Sequence, residues 1–126
     1  MSQIDNFLFT KEHEWLSVDR NVATVGITDF AQSELGDIIF IELPQSGEEY
    51  NVNDVFGTIE AVKTVADLYM PITGKILEIN SNIEDNPESI NNSPYKEGWI
   101  VKVKISNIKE VNNLLSSSAY KELING

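Results

Sequence analysis

The sequence predicts a mainly-β fold: a sandwich or flattened barrel of two antiparallel sheets with pseudo-twofold symmetry, a short helix after the first strand, and further helices near the C-terminus. Three features point there. Short β-branched or alternating runs recur along the chain, separated by turn-rich segments. The segment Gly36-Asp37-Ile38-Ile39-Phe40-Ile41-Glu42 is echoed by Gly74-Lys75-Ile76-Leu77-Glu78-Ile79-Asn80, and each copy is followed, after a turn-rich loop, by another strand-like run. The length of 126 residues suits one ordinary domain, so residues 1–126 are expected to form a single unit. Two copies of one strand-loop-strand unit suggest two facing sheets that meet at the segment between the copies. Lys63 lies in that segment.

The elements follow in order. Residues 22–27 are short, β-branched and partly alternating, hence a strand. Residues 28–36 read as a short helix, with Thr28 or Asp29 to cap its start and Gly36 to suit a left-handed exit. Residues 38–43 are a nearly continuous apolar run ending at Pro44 and Gly47, which predicts a central, well-buried strand. Strands are expected over about 55–62 and 65–69, and residues 71–74 turn the chain into another over 75–79. Residues 80–94, mostly Asn, Ser, Glu, Asp and Pro, read as a surface loop. Residues 99–105 alternate most clearly, with Trp99, Val101, Val103 and Ile105 on one face and lysines on the other. Residues 108–125 fit one or two short amphipathic helices docked on the sheet.

Charge and composition bound the function. Twenty Asp and Glu against nine Lys and Arg give a net charge of -11, which repels a nucleic-acid backbone and an anionic membrane and favours a soluble monomer. With no cysteine, the chain has no thiolate nucleophile, disulfide or thiolate metal site, so redox chemistry would have to come from a cofactor. One histidine cannot build a multi-histidine metal site, and no serine sits in a nucleophile-elbow context, so neither a metal ligand set nor a catalytic residue is assigned. Residues 1–10 lack a basic segment followed by an apolar core, and no apolar run approaches the roughly 18 residues of a spanning helix. A cytoplasmic protein is the expectation.

The stretch that carries chemistry runs from Gly57 to Pro71, where two β-prone arms flank Lys63 without Gly or Pro close to it. A hairpin with Lys63 at its tip would expose the amine while the sheet holds its flanks. Taken alone, a lysine at a turn is an ordinary solvated residue.

Glu60-Ala61-Val62-Lys63, followed by Asp67, Pro71 and Gly74, resembles the lipoylation signature of the glycine cleavage system H-protein family, which usually has serine where this chain has Ala61. The resemblance extends through Lys11-Glu12-His13-Glu14-Trp15, residues 26–32, Leu35-Gly36-Asp37, Asn92-Ser93-Pro94-Tyr95 and Glu97-Gly98-Trp99. It implies a lipoyl-type carrier domain that is not itself an enzyme, with lipoate in amide linkage to Lys63. It also implies partners: the arm takes an aminomethyl group from a pyridoxal-phosphate glycine decarboxylase, passes it to a tetrahydrofolate-dependent aminomethyltransferase, and is reoxidised by dihydrolipoyl dehydrogenase. Lipoate-attaching enzymes are implied as well, and Glu60 would be read by them. Glu14 and Asp67 match positions lining the cleft for the loaded arm, where carboxylates would favour a cationic amine. Glu12 adds a third carboxylate there, and Met70 brings bulk where the family often has a small residue.

His13 and Trp15 are expected to pack the N-terminal segment onto the sheet, and Phe30, Phe40, Tyr69 and Trp99 to belong to the core. Two other readings share the lysine hairpin: an H-like lipoate donor or reservoir, and the lipoyl domain of a 2-oxo acid dehydrogenase. The latter domains are shorter and tethered within larger chains.

Overall fold

The computed structural model describes residues 6–125, so the outermost ends of the expected 1–126 domain lie outside the described residues. Two antiparallel sheets face one another without closing into a barrel. The larger comprises β1 (Leu8–Phe9), β2 (Glu14–Asp19) and β3 (Val22–Ile27) from the N-terminal part. Its other members are β5 (Glu49–Tyr50), β8 (Gly74–Ile79) and β9 (Val101–Ile105), in the order β1-β2-β3-β9-β8-β5. The smaller sheet runs β4 (Ile38–Glu42), β6 (Val55–Ala61), β7 (Val65–Tyr69). The strand expected at 22–27 is thus the third of the chain, and β1, β2 and β5 carry no counterpart in the sequence expectation.

Helix α1 (Asp29–Leu35) forms where expected. The Thr28 hydroxyl accepts the Ala31 N–H at its start, and Gly36, at φ +82°, ends it in a backbone conformation open to glycine. Trp15 pairs with Gly26 across β2 and β3, and its indole covers the bare glycine so closely that a Cβ there would lie 2.7 Å from the ring. The indole N–H then donates to the Pro94 carbonyl at 3.0 Å, which anchors the N-terminal hairpin as the sequence suggested.

Three expectations are corrected. Residues 38–42 form an edge strand paired only with β6, and a bulge between Ile38 and Phe40 turns both Ile39 and Phe40 outward, each 52% exposed. Phe40 is therefore a surface residue and not core. Residues 80–94 hold two short helices, α2 (Asn82–Asp85) and α3 (Glu88–Asn92), which bury Ile83 and Ile90 completely. The C-terminal segment, by contrast, holds two short helices as expected, a 3-10 helix (Ile108–Asn113) and α4 (Ser117–Asn125). Helix α4 docks beside β1 through the stacked Phe9 and Tyr120 rings, 4.7 Å between centroids. Among the described residues no helix is long and apolar enough to cross a membrane.

The expected internal repeat is visible in the strands. β4 pairs with β6 and β8 with β9, and the two ladders break at the same place: between Ile38 and Phe40 in one, between Ile76 and Glu78 in the other. Ile38, Ile41 and Ile59 of the small sheet and Ile76, Val101 and Val103 of the large one meet in a single core. Burying side chains of this size stabilises by roughly 1.5–3 kcal/mol each.

Candidate functional site

The β6–β7 hairpin reverses through Val62, Lys63 and Thr64, all exposed. Two backbone bonds define the tip. Ala61 N–H donates to Thr64 O at 2.8 Å within the hairpin, and Val62 N–H donates to Asp37 O at 3.0 Å across to the turn between α1 and β4. The lysine thus projects from a braced turn. Its aliphatic stem runs past Gly36, where a Cβ would stand 3.4 Å from Lys63 Cε and 3.9 Å from Nζ. These are ordinary contact distances, so it is the φ of +82° and not the space that favours glycine here.

The turn that receives Val62 is held from behind by Asn91 on α3. Its amide nitrogen donates to Gly36 O at 2.8 Å and to Gln32 Oε1 at 2.9 Å, while its Oδ1 accepts the Ile38 N–H at 3.0 Å. The sequence reading missed this clasp. No local signal gives it away, because Ile83 and Ile90 sit on two separate short helices and Asn91 finds its partners more than 50 residues earlier in the chain.

Beside the hairpin lies a cavity of about 280 Å3 whose floor is apolar, from Ile27, Phe30, Leu35, Ile59 and Leu68, and whose wall carries Glu12, His13, Glu14, Glu34 and Asp67. Glu14 and Asp67 therefore border one space, though they are unlike each other. Asp67 is exposed on β7. Glu14 is 3% exposed, and burial pushes its carboxyl up to about 8, opposed by the hydrogen bonds it accepts from Tyr69 N–H at 2.9 Å and the Thr10 hydroxyl at 3.2 Å. It is largely protonated at neutral pH, not the solvated surface acid its polar neighbours suggest. Glu60 is exposed on β6, between Phe40 and Val65 in the register of the three strands.

His13 lines the same cavity at φ +67°, and its Nδ1 lies 2.8 Å from the Tyr120 hydroxyl, which is 2.7 Å from the Thr28 hydroxyl. The imidazole therefore ties the N-terminal segment to α4 and the start of α1, and not to the sheet as expected. Trp99 and Phe30 are half-buried and Tyr69 borders a second cavity, so none is fully core.

Residues 7–126 match the family model described as glycine cleavage H-protein. Glycine cleavage system H proteins from two strains of Staphylococcus epidermidis are 52% and 51% identical over 124 residues, covering 98% of this chain and 98% of theirs. Among solved structures, the crystal structure of a glycine cleavage system H protein from Mycobacterium marinum superposes with a TM-score of 0.90 at 33% identity, over 97% of this chain and 98% of that one.

Proposed function

The chain belongs to the glycine cleavage H-protein family and is a lipoyl carrier of glycine cleavage; from that premise we propose that Lys63 is the residue that bears the arm. The observation that carries this assignment is the braced, exposed hairpin tip at which Lys63 alone supplies an amine. The surroundings fit the group: the side chain is exposed at the tip, and the apolar residues of the neighbouring cavity suit an aliphatic chain ending in a dithiolane.

Attachment requires Lys63 Nζ to lose a proton and attack the activated carbonyl carbon of a lipoyl ester, thioester or mixed anhydride. The N–C bond forms, the bond to the leaving group breaks, and a second proton departs as the amide is completed. When bound, the dithiolane supplies the sulfur chemistry that takes up and releases the aminomethyl group of glycine, which this cysteine-free chain cannot perform. The protein is then a carrier and not an enzyme, visiting the pyridoxal-phosphate glycine decarboxylase, the tetrahydrofolate-dependent aminomethyltransferase and dihydrolipoyl dehydrogenase. Tethering gives each docked partner an effective arm concentration on the order of millimolar.

Glu14 and Asp67 receive the cationic amine on this reading. Asp67 offers an exposed side chain on the cavity lining. Glu14 is protonated in the empty cavity, and a cation beside it lowers its pKa, so it ionises as the charge arrives. Glu60 contributes to recognition by the lipoate-attaching enzyme.

Peptide mapping after incubation with a purified lipoate-attaching enzyme, lipoate and ATP tests the assignment. One lipoyl mass is expected, on the peptide containing Lys63. A lipoyl group found instead on Lys11, Lys75 or another lysine would overturn it.

A further inference from the structure

The outer face of the three-stranded sheet is unusual for a solvated surface. Phe40 of β4, Glu60 of β6 and Val65 of β7 lie in one register row, and Val62 follows Glu60 on the same face. With Ile39, turned outward by the bulge, four apolar side chains surround the lysine tip at exposures of 52% for Ile39 and Phe40, 72% for Val62 and 62% for Val65. Clustered apolar exposure of this kind marks contact surfaces more often than solvent.

The fold does not require it. The repeat places Leu77, Glu78, Lys102 and Lys104 of β8 and β9 at the positions that Ile39, Phe40, Glu60 and Val62 occupy in β4 and β6. There the same backbone carries charges, and Glu78 and Lys102 form an ion pair at 3.7 Å. Phe40 and Val62 thus stand where a charged residue is structurally acceptable. Around them the charge is one-sided: within residues 29–42 and 55–69, Lys63 is the only cation, against Asp29, Glu34, Asp37, Glu42, Glu60 and Asp67.

We propose that this face, centred on Ile39, Phe40, Val62 and Val65 and rimmed by Asp37, Glu42 and Glu60, is the docking surface for the enzyme that acylates Lys63, a protein offering an apolar centre ringed by lysines and arginines. The inference rests on the assignment of Lys63 as the attachment point. It singles out that enzyme because of reach. Forming the amide demands that the acyl-transfer centre come within bonding distance of Nζ on a short side chain, which places the body of the enzyme on the tip. Enzymes that act on the dithiolane meet it at the far end of a long arm and have no such obligation. An acidic rim speeds encounter with a basic partner, while the apolar centre supplies desolvated contact.

The test compares lipoylation kinetics of the full chain with a purified lipoate-attaching enzyme, using Ile39→Ser with Phe40→Ser, and Val62→Ser at the tip as a second variant. The internal control is Leu77→Ser, which alters the equivalent exposed position of the other unit. KM for the carrier is expected to rise about tenfold or more in the double variant, the loss of a well-packed anchor cluster, with kcat within about twofold. Leu77→Ser should match wild type, and Glu42→Lys should raise KM while reducing its dependence on salt. Melting temperature and, after forced lipoylation, the KM for glycine decarboxylase are read alongside and should stay near wild type. Unchanged lipoylation kinetics in both patch variants would overturn the docking surface, as would an equal loss in Leu77→Ser. A raised KM for the decarboxylase with normal lipoylation would overturn it too, assigning the face to that enzyme. These results differ from failure of the underlying reading, in which wild-type Lys63 itself acquires no lipoyl group.

Discussion

The strand pairs β4–β6 and β8–β9 are two executions of one motif, and they part at a single point. Both break register one residue after a buried isoleucine, Ile38 or Ile76. In both, a glycine stands two residues before that isoleucine, Gly36 or Gly74. In the β8–β9 pair the ladder runs on, Lys75 opposite Lys104 and Gly74 opposite Ile105, so Ile105 is buried at 6% exposure. In the β4–β6 pair it ends with the Val62 N–H to Asp37 O bond, because the chain reverses at once into β7 through the Ala61 N–H to Thr64 O bond. Lys63 holds the position equivalent to Ile105 and is ejected from the sheet, its stem lying over Gly36 where Ile105 faces Gly74. Presentation of the lysine is therefore an unfinished ladder: early reversal on one side and a helix-ending glycine on the other convert a core position into an exposed one.

The sharpest way to break this comparison is to remove the lysine. Lys63→Ala should abolish lipoylation and support of glycine decarboxylation completely. It should shift the melting temperature little, since surface substitutions usually change stability by no more than about 0.5 kcal/mol. Intact mass and a melting curve on one sample check both halves. Residual lipoylation would mean that the ejected position is not the modified one.

The elements legible in the sequence are those decided locally. Thr28 and Gly36 bracket α1 by capping chemistry that needs no partner, and the glycine-isoleucine echo announced the repeated strand pair, though not the bulge its two copies share. What was not legible depends on distant contacts. The run Ile38 to Leu43 reads as doubly buried, yet the bulge exposes Ile39 and Phe40, so continuous apolarity there reflects a surface and not a core. The polar composition of residues 80–94 hides two helices because only Ile83 and Ile90 reach inward. Glu14 sits in a run of charged neighbours, and its burial shows only in the fold, where Tyr69 N–H, 55 residues later, donates to its carboxyl. Lys63 was found as a hairpin tip, whereas the Asn91 clasp behind it was not.

Glu14 gives the lysine-bearing side a pH dependence. Its carboxyl is raised from 4.5 to about 8 in the folded protein, so between those values the folded state holds a proton that the unfolded state releases. Stability present at and below pH 4.5 is therefore lost as pH rises toward 8 and is constant beyond, a fall on the order of 5 kcal/mol. Glu14→Gln, a mimic of the protonated acid, should remove that slope. Denaturant unfolding of both proteins at pH 5 and pH 8 isolates the difference, and parallel slopes would mean that Glu14 is ionised in the fold.

The turns before β4 and β8 are each held by one side chain from elsewhere. Asn91 clasps Gly36 O and Ile38 N–H, and Glu110 accepts from Thr73 N–H at 2.7 Å and from its hydroxyl at 3.0 Å. Deleting either should cost about 1–3 kcal/mol through backbone groups left unpaired. The two should differ in function. Asn91→Ala loosens the turn that receives Val62 and should slow lipoylation severalfold, whereas Glu110→Ala should leave it unchanged at similar stability loss. Equal lipoylation rates in the two variants would show that bracing of the tip is irrelevant to modification.

The smallest expected effect concerns the cleft beside the hairpin and separates its two acids. Glu14→Gln with Asp67→Asn should leave lipoylation intact and speed loss of the aminomethyl group from the loaded protein, read as formaldehyde and ammonia released without the folate enzyme. A preference of about 1 kcal/mol for the docked arm changes the docked-to-free ratio about fivefold, which sets the scale. The single variants should then respond to different variables. Asp67 is exposed, so its share should fade with added salt and vanish in Asp67→Asn. Glu14 is buried and must give up its proton before it can pair with the amine, so its share should grow from pH 6 to pH 9 and resist salt. A protection that depends on salt but not on pH would assign the arm to Asp67 alone and leave Glu14 as a brace for Tyr69. Release rates equal in wild type and the double variant at every salt and pH would remove both acids from the cleft's function.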